Sequence, residues 1–160
     1  MKLSNPLKFI ISLLICQAAG IFGSLLTFNA IQTWYITLKK PEFVPPGSLI
    51  GMIWIVIYSL MAISLFLIWS KGLKSEEHKF AIKVFGVQLL LNALWSPIFF
   101  NLRSPFFAFL IIIALWIAIA ATIYLFYKIS RMASYILIPY ILWVTFAAYL
   151  NFIIWQLNAI

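Results

Sequence analysis

Three short runs carry the side chains of this sequence best suited to chemistry, and each combines indole rings with neutral polar groups. Trp54, Tyr58 and Met61 recur at i, i+4 and i+7, which puts them on one stripe of a helix. Gln88 and Asn92 are four apart and so share a face, with Trp95, Ser96 and Pro97 directly after. Pro139, Trp143, Ala147, Asn151 and Trp155 follow at steps of four, a row that drifts by about 40° per step against a 3.6 period and therefore slants. Indoles, a phenol and amides make a surface for a flat, largely apolar ligand, with an amide or indole N–H fixing its orientation. A buried asparagine in lipid needs a partner, so Asn92 marks either a helix–helix bond or a ligand contact. Ala147, between bulky neighbours, leaves a gap for a ligand or for a neighbouring helix.

Other chemistries find no support. Glu42, Glu76 and Glu77 are the acidic residues, and all fall in connectors. An ion-coupled transporter or proton pump normally needs an ionisable group inside the membrane. Cys16 is the single cysteine, and His78, the single histidine, sits among glutamates and lysines in a hydrophilic connector. No disulfide within the chain, no metal constellation, no nucleophile–histidine pair and no phosphate-cradling loop follows from these residues. Neither a metal nor a cofactor is expected.

The elements that position these groups must be membrane helices. The chain has 160 residues, of which 66% are hydrophobic and 9% charged, with a mean hydropathy of +1.11. A soluble domain of this size cannot hide so much apolar surface. Five apolar runs of about 20 residues or more, each long enough to span a bilayer, lie at 7–28, 47–70, 80–102, 105–127 and 133–157. The reading is an all-α membrane protein, a five-transmembrane-helix bundle in one domain, with the lipid bilayer as its solvent. The net charge of +8 comes from lysines and arginines at span ends, the positive-inside pattern of a membrane protein rather than a nucleic-acid patch. Lys2, Lys8, Lys71, Lys74, Lys79, Lys83, Lys128 and Arg131 fall on one side, against Lys39, Lys40 and Arg103 on the other. This places the N-terminus in the cytoplasm and the first connector outside, in a bacterial plasma membrane.

That first connector is expected to cover a site. Trp34 and Tyr35 are boundary aromatics at the end of the first run, and Lys39 and Lys40 follow. Pro41, Pro45 and Pro46 each remove an N–H and fix φ, so the stretch 41–46 reads as a stiff, shaped lid, with Ser48 as N-cap of the next helix. Trp54, Tyr58, Trp95, Trp143 and Asn92 would line a cavity beneath it, with the two lysines at its mouth favouring a ligand that carries carboxylates. Ser104 is expected to cap the fourth helix with Pro105 at its first position, and Pro97 to kink the third near its end. Small residues Ala19, Gly20, Gly23 and Ser24 form a ridge suited to close packing inside the bundle or to a dimer seam.

The run Trp34-Tyr35-x-x-Leu38-x-Lys40-Pro41-x-Phe43-x-Pro45-Pro46-Gly47, then Leu91-Asn92-x-x-Trp95-x-Pro97-x-Phe99-Phe100, then Pro139-Tyr140-x-x-Trp143-x-x-Phe146-Ala147-x-x-Leu150-Asn151 resembles the tryptophan-rich sensory protein family, that of the mitochondrial translocator protein or peripheral benzodiazepine receptor. The resemblance extends over all five spans. It implies a homodimeric receptor or sensor that binds porphyrins such as protoporphyrin IX, and isoquinoline and benzodiazepine drugs, in a pocket closed by the first loop. Carried over residue by residue, it puts Tyr35, Pro45 and Pro46 in the lid, Trp54 in the second helix wall, and Asn92 and Trp95 in the third. Trp143, Phe146, Ala147 and Leu150 form the fifth-helix wall. It further implies light-dependent breakdown of protoporphyrin at Trp54 and Trp143, a reaction that needs no acid–base residue. Phe43 departs from the family's usual tryptophan. The sterol-associated pattern is missing, since no basic residue follows Arg131, which argues against sterol binding. A transporter of porphyrin or a similar amphiphile, and a non-catalytic regulatory partner, need the same apolar pocket and remain the alternatives.

Overall fold

The computed structural model describes residues 3–72 and 75–159, which are helical apart from short connectors. Lys2 and Lys74, two of the charges counted above, lie outside the described residues. Helix α1 spans Asn5–Thr33, α2 Gly47–Ser70, α3 Glu76–Phe100, α4 Pro105–Ile129, α5 Arg131–Ile136 and α6 Ile138–Asn158. A single 3-10 turn, Tyr35–Thr37, lies between α1 and α2. Counting α5 and α6 as one span, five helical segments among the described residues are long and apolar enough to cross a membrane.

Helix ends follow local chemistry. Ser75 caps α3 by accepting from the Glu77 amide at 3.2 Å, and Glu76 and Glu77 complement the positive end of the dipole, which starts the helix four residues before the apolar run. Ser104 accepts from the Phe107 amide at 3.3 Å with Pro105 opening α4, as the sequence suggests. Ser48 does not cap α2. The N-cap position is Pro46, whose φ of −55° and ψ of 143° deliver an extended entry, and the helix is already under way at Gly47. Helix α3 runs on for one turn past Pro97 to Phe100. The Pro97 carbonyl then accepts from both Asn101 and Leu102, closing that end. Arg103 takes a left-handed φ of 50° in the turn that follows.

The fifth span is broken rather than continuous. Pro139 has no N–H to give and would crowd the carbonyl four residues back. The chain ends α5 at Ile136, passes through Leu137, and restarts with Pro139 in the first turn of α6, where the missing N–H leaves nothing unsatisfied. The short α5 is pinned by Ser64 Oγ donating to the Ala133 carbonyl at 2.7 Å and Ser134 Oγ donating to the Ile123 carbonyl at 3.0 Å.

Helix α1 packs along α2 and α3, α3 along α4, α4 against α5 and α6, and α2 against α5, while α2 meets α3 and α6 only sparsely. The half of the bundle away from the first connector is filled by Met61, Leu65, Ile68, Phe85 and Phe126, with Phe85 and Phe126 stacked at 5.8 Å. Toward the first connector, α2, α3 and α6 do not close on one another, and the space between them is the site described next.

Candidate functional site

A cavity of about 580 Å³ opens between α1, α2, α3 and α6, under the 3-10 turn. Its size lies within the roughly 300–1,000 Å³ of small-molecule pockets. Of the residues singled out in the sequence, Tyr35, Trp54, Tyr58, Asn92, Trp95, Trp143, Phe146, Ala147 and Leu150 all line it. Trp54 meets Trp143 edge to face at 6.4 Å and leans on Tyr58 at 5.5 Å, so two helices are joined by indole contact at the wall. Trp95 stacks on Phe99 at 5.2 Å. The Trp143 Nε1–H is buried without a partner.

Pro45 and Pro46 do not line this cavity. Pro46 is exposed and Pro45 half-buried, and their role in the structure is to keep the connector extended into α2. The connector is held from other directions. Asn158, the last residue of α6, accepts from the Lys39 amide at 3.0 Å and donates to the Lys39 carbonyl at 2.9 Å. Phe43 stacks on Tyr149 of α6, with centroids 6.0 Å apart and planes within 13°. Lys40 donates to the Tyr35 carbonyl at 2.9 Å and lies over the Tyr35 ring at 4.2 Å. Burial pushes the Tyr35 phenol above its ordinary pKa, so it stays neutral where it lines the mouth.

Asn92 does more than face the cavity. It accepts from the Tyr58 hydroxyl and donates through Nδ2 to Tyr140 Oη at 2.9 Å. Tyr140 in turn donates to Gln88 Oε1 at 2.8 Å. Four buried side chains from α2, α3 and α6 thus form one polar relay at the cavity floor. Asn151 acts as a brace. It accepts from Trp95 Nε1 at 2.9 Å and donates to the Pro105 carbonyl at 2.8 Å, which fixes the indole plane and ties α6 to the start of α4.

Sequence reasoning missed the α1 wall. Gly20, Gly23, Ser24 and Thr27 also line the cavity. The small-residue ridge was legible, but as packing; here its function is to let the Tyr58 ring lie directly against the Gly20 backbone, where a Cβ would overlap three ring carbons.

The family model described as TspO/MBR family matches residues 12–156. The chain belongs to the TspO/MBR family. Among its relatives, the tryptophan-rich protein TspO of Archaeoglobus fulgidus is 43% identical over 97% of this chain and 99% of its own length. The same-named protein of Chlorobaculum tepidum is 39% identical over 90% of this chain and 91% of its own. The human translocator protein is 34% identical over 78% of this chain and 75% of its own. With five apolar helices and this family membership, the protein is an integral membrane protein related to the translocator and tryptophan-rich sensory proteins.

Proposed function

We propose that the protein is a membrane receptor or sensor that binds a tetrapyrrole such as protoporphyrin IX in the cavity under the first loop, with isoquinoline- and benzodiazepine-type compounds taking the same space. The observation that carries this reading is the cavity itself: about 580 Å³, walled by Trp54, Trp95 and Trp143. Apolar walls favour a flat aromatic ligand by burial. Lys39, exposed on the first connector, suits a ligand with carboxylates at its edge. The reading includes insertion with the N-terminus in the cytoplasm and the loop outside, and a homodimer as the working form. Trp54 and Trp143, in mutual contact at the wall, are the groups an excited porphyrin would oxidise in air.

The test is quenching of tryptophan fluorescence by protoporphyrin IX in detergent, in the dark and then under illumination in air, for the wild type, Trp143→Phe and Asn92→Ala. Saturable quenching weakened by Asn92→Ala supports binding here, and porphyrin loss abolished by Trp143→Phe supports light-dependent breakdown. Quenching that never saturates and ignores both substitutions refutes the reading. Protein-dependent movement of porphyrin across liposomes would instead favour a transporter.

A further inference from the structure

The relay Tyr58–Asn92–Tyr140–Gln88 has a property that none of its members has alone. Tyr58 and Asn92 line the cavity, whereas Tyr140 and Gln88 lie behind it, at 1% relative exposure each. In the direction observed, the Tyr58 proton is committed to Asn92 Oδ1 and the Tyr140 proton to Gln88 Oε1. The Tyr58 oxygen, on a side chain that lines the cavity, is then left with acceptor capacity only. The far end of the relay carries the consequence: Gln88 Nε2 is buried with no partner.

A carboxamide turned end for end occupies the same space with donor and acceptor exchanged. Turning both Asn92 and Gln88 reverses every bond in the relay. Gln88 Nε2 then donates to Tyr140, Tyr140 to Asn92 Oδ1, and Asn92 Nδ2 to Tyr58, which frees the phenol proton for the cavity. The orphan at the far end becomes a carbonyl oxygen, which burial tolerates better than an orphan N–H. The two directions therefore differ at both ends while sharing one set of heavy-atom positions.

We propose that Gln88 and Tyr140 are positioning residues that set whether the cavity floor offers a hydrogen-bond donor or an acceptor, so that one apolar site accepts flat ligands of either polarity. The proposal rests on the cavity being a ligand site.

The experiment uses two tricyclic aromatics of similar shape, carbazole with an N–H donor and 9-fluorenone with a carbonyl acceptor, titrated against the intact protein in detergent by tryptophan quenching. In Gln88→Met the Tyr140 proton has only Asn92 Oδ1 to turn to, which locks the relay with the Tyr58 proton facing the cavity. The affinity ratio of fluorenone to carbazole is expected to rise about fivefold over wild type, the scale of one neutral hydrogen bond. Tyr140→Phe cuts the connection, so adding Gln88→Met in that background should leave the ratio unchanged. An unchanged ratio in Gln88→Met, or an equal shift in both backgrounds, overturns the proposal while leaving the cavity as a binding site. Failure of either probe to bind the wild type saturably overturns the binding reading itself, and this proposal with it. Chromatographic profiles and helical circular dichroism that match the wild type establish that the variants are folded.

Discussion

The sharpest single perturbation is Gly20→Ala. The added methyl would overlap Cε2, Cδ2 and Cζ of Tyr58, whose ring lies against the glycine. Tyr58 is buried and cannot swing away without leaving Asn92, so either α1 and α2 separate or the relay breaks. Overpacking of this kind costs about 1–3 kcal/mol, and the lost phenol–amide bond adds about 1 kcal/mol. Two other glycines serve as internal controls. A Cβ at Gly23 meets Ser96 Cβ at 3.4 Å, an ordinary contact, and one at Gly51 meets nothing within 4 Å. Gly23→Ala is expected to be near neutral, and Gly51→Ala to gain up to about 1 kcal/mol from helix propensity. Unfolding by sodium dodecyl sulfate, followed by circular dichroism, gives the three differences on one scale, and fluorescence titration shows whether ligand affinity falls with Gly20→Ala. If Gly20→Ala matches Gly51→Ala in stability and keeps full affinity, then the ridge does not seat Tyr58, and the account of the cavity floor is wrong.

Asn151→Ala leaves Trp95 Nε1 and the Pro105 carbonyl without their partner; a loss of about 1–3 kcal/mol in the same unfolding assay is expected, and a neutral result would count against its bracing role. Asn158→Ala removes both bonds to the Lys39 backbone, so ligand release should speed up about tenfold in stopped-flow measurements with little change in stability, while an unaltered release rate would show that the connector does not limit exit. Lys79→Ala deletes an exposed ion pair with Glu76 at 2.7 Å; such pairs contribute at most about 1 kcal/mol, and a larger loss would mean that the start of α3 depends on it.

Most of the architecture was legible because lipid makes a severe demand. Backbone groups in the hydrocarbon must pair within their own helix, so apolar runs bounded by prolines and charges translate almost directly into spans, and the second span, Gly47–Ser70, matches its run to the residue. Boundaries slipped where polar residues continue a helix beyond the apolar run, as with Glu76 and Glu77 in α3 and residues 29–33 in α1, whose Thr33 hydroxyl bonds back to the Asn29 carbonyl at 2.8 Å. The break at Leu137 was announced by Pro139, but a single apolar run over 133–157, continuous across the proline, hid it.

The cavity wall was legible wherever a large or polar side chain signalled it, as at Trp54, Asn92, Trp95 and Trp143. It was illegible where the wall is made by what is missing. Gly20 contributes a face of backbone against Tyr58, and a sequence records only that the side chain is absent, which fits a helix crossing, a dimer seam and a cavity floor equally well. The relay was hidden for a related reason. Spacing places Gln88 and Asn92 on one face of α3, but Tyr58 and Tyr140 come from other helices, 34 and 48 residues from Asn92, and no periodicity within one helix encodes a bond to another. What could have exposed it is the requirement that a buried amide in lipid be satisfied: two amides one turn apart on an apolar helix need several partners, and Tyr58 and Tyr140 are phenols set among apolar residues on facing spans. Counting unsatisfied donors and acceptors in each span, before counting apolar faces, would have pointed to those pairings.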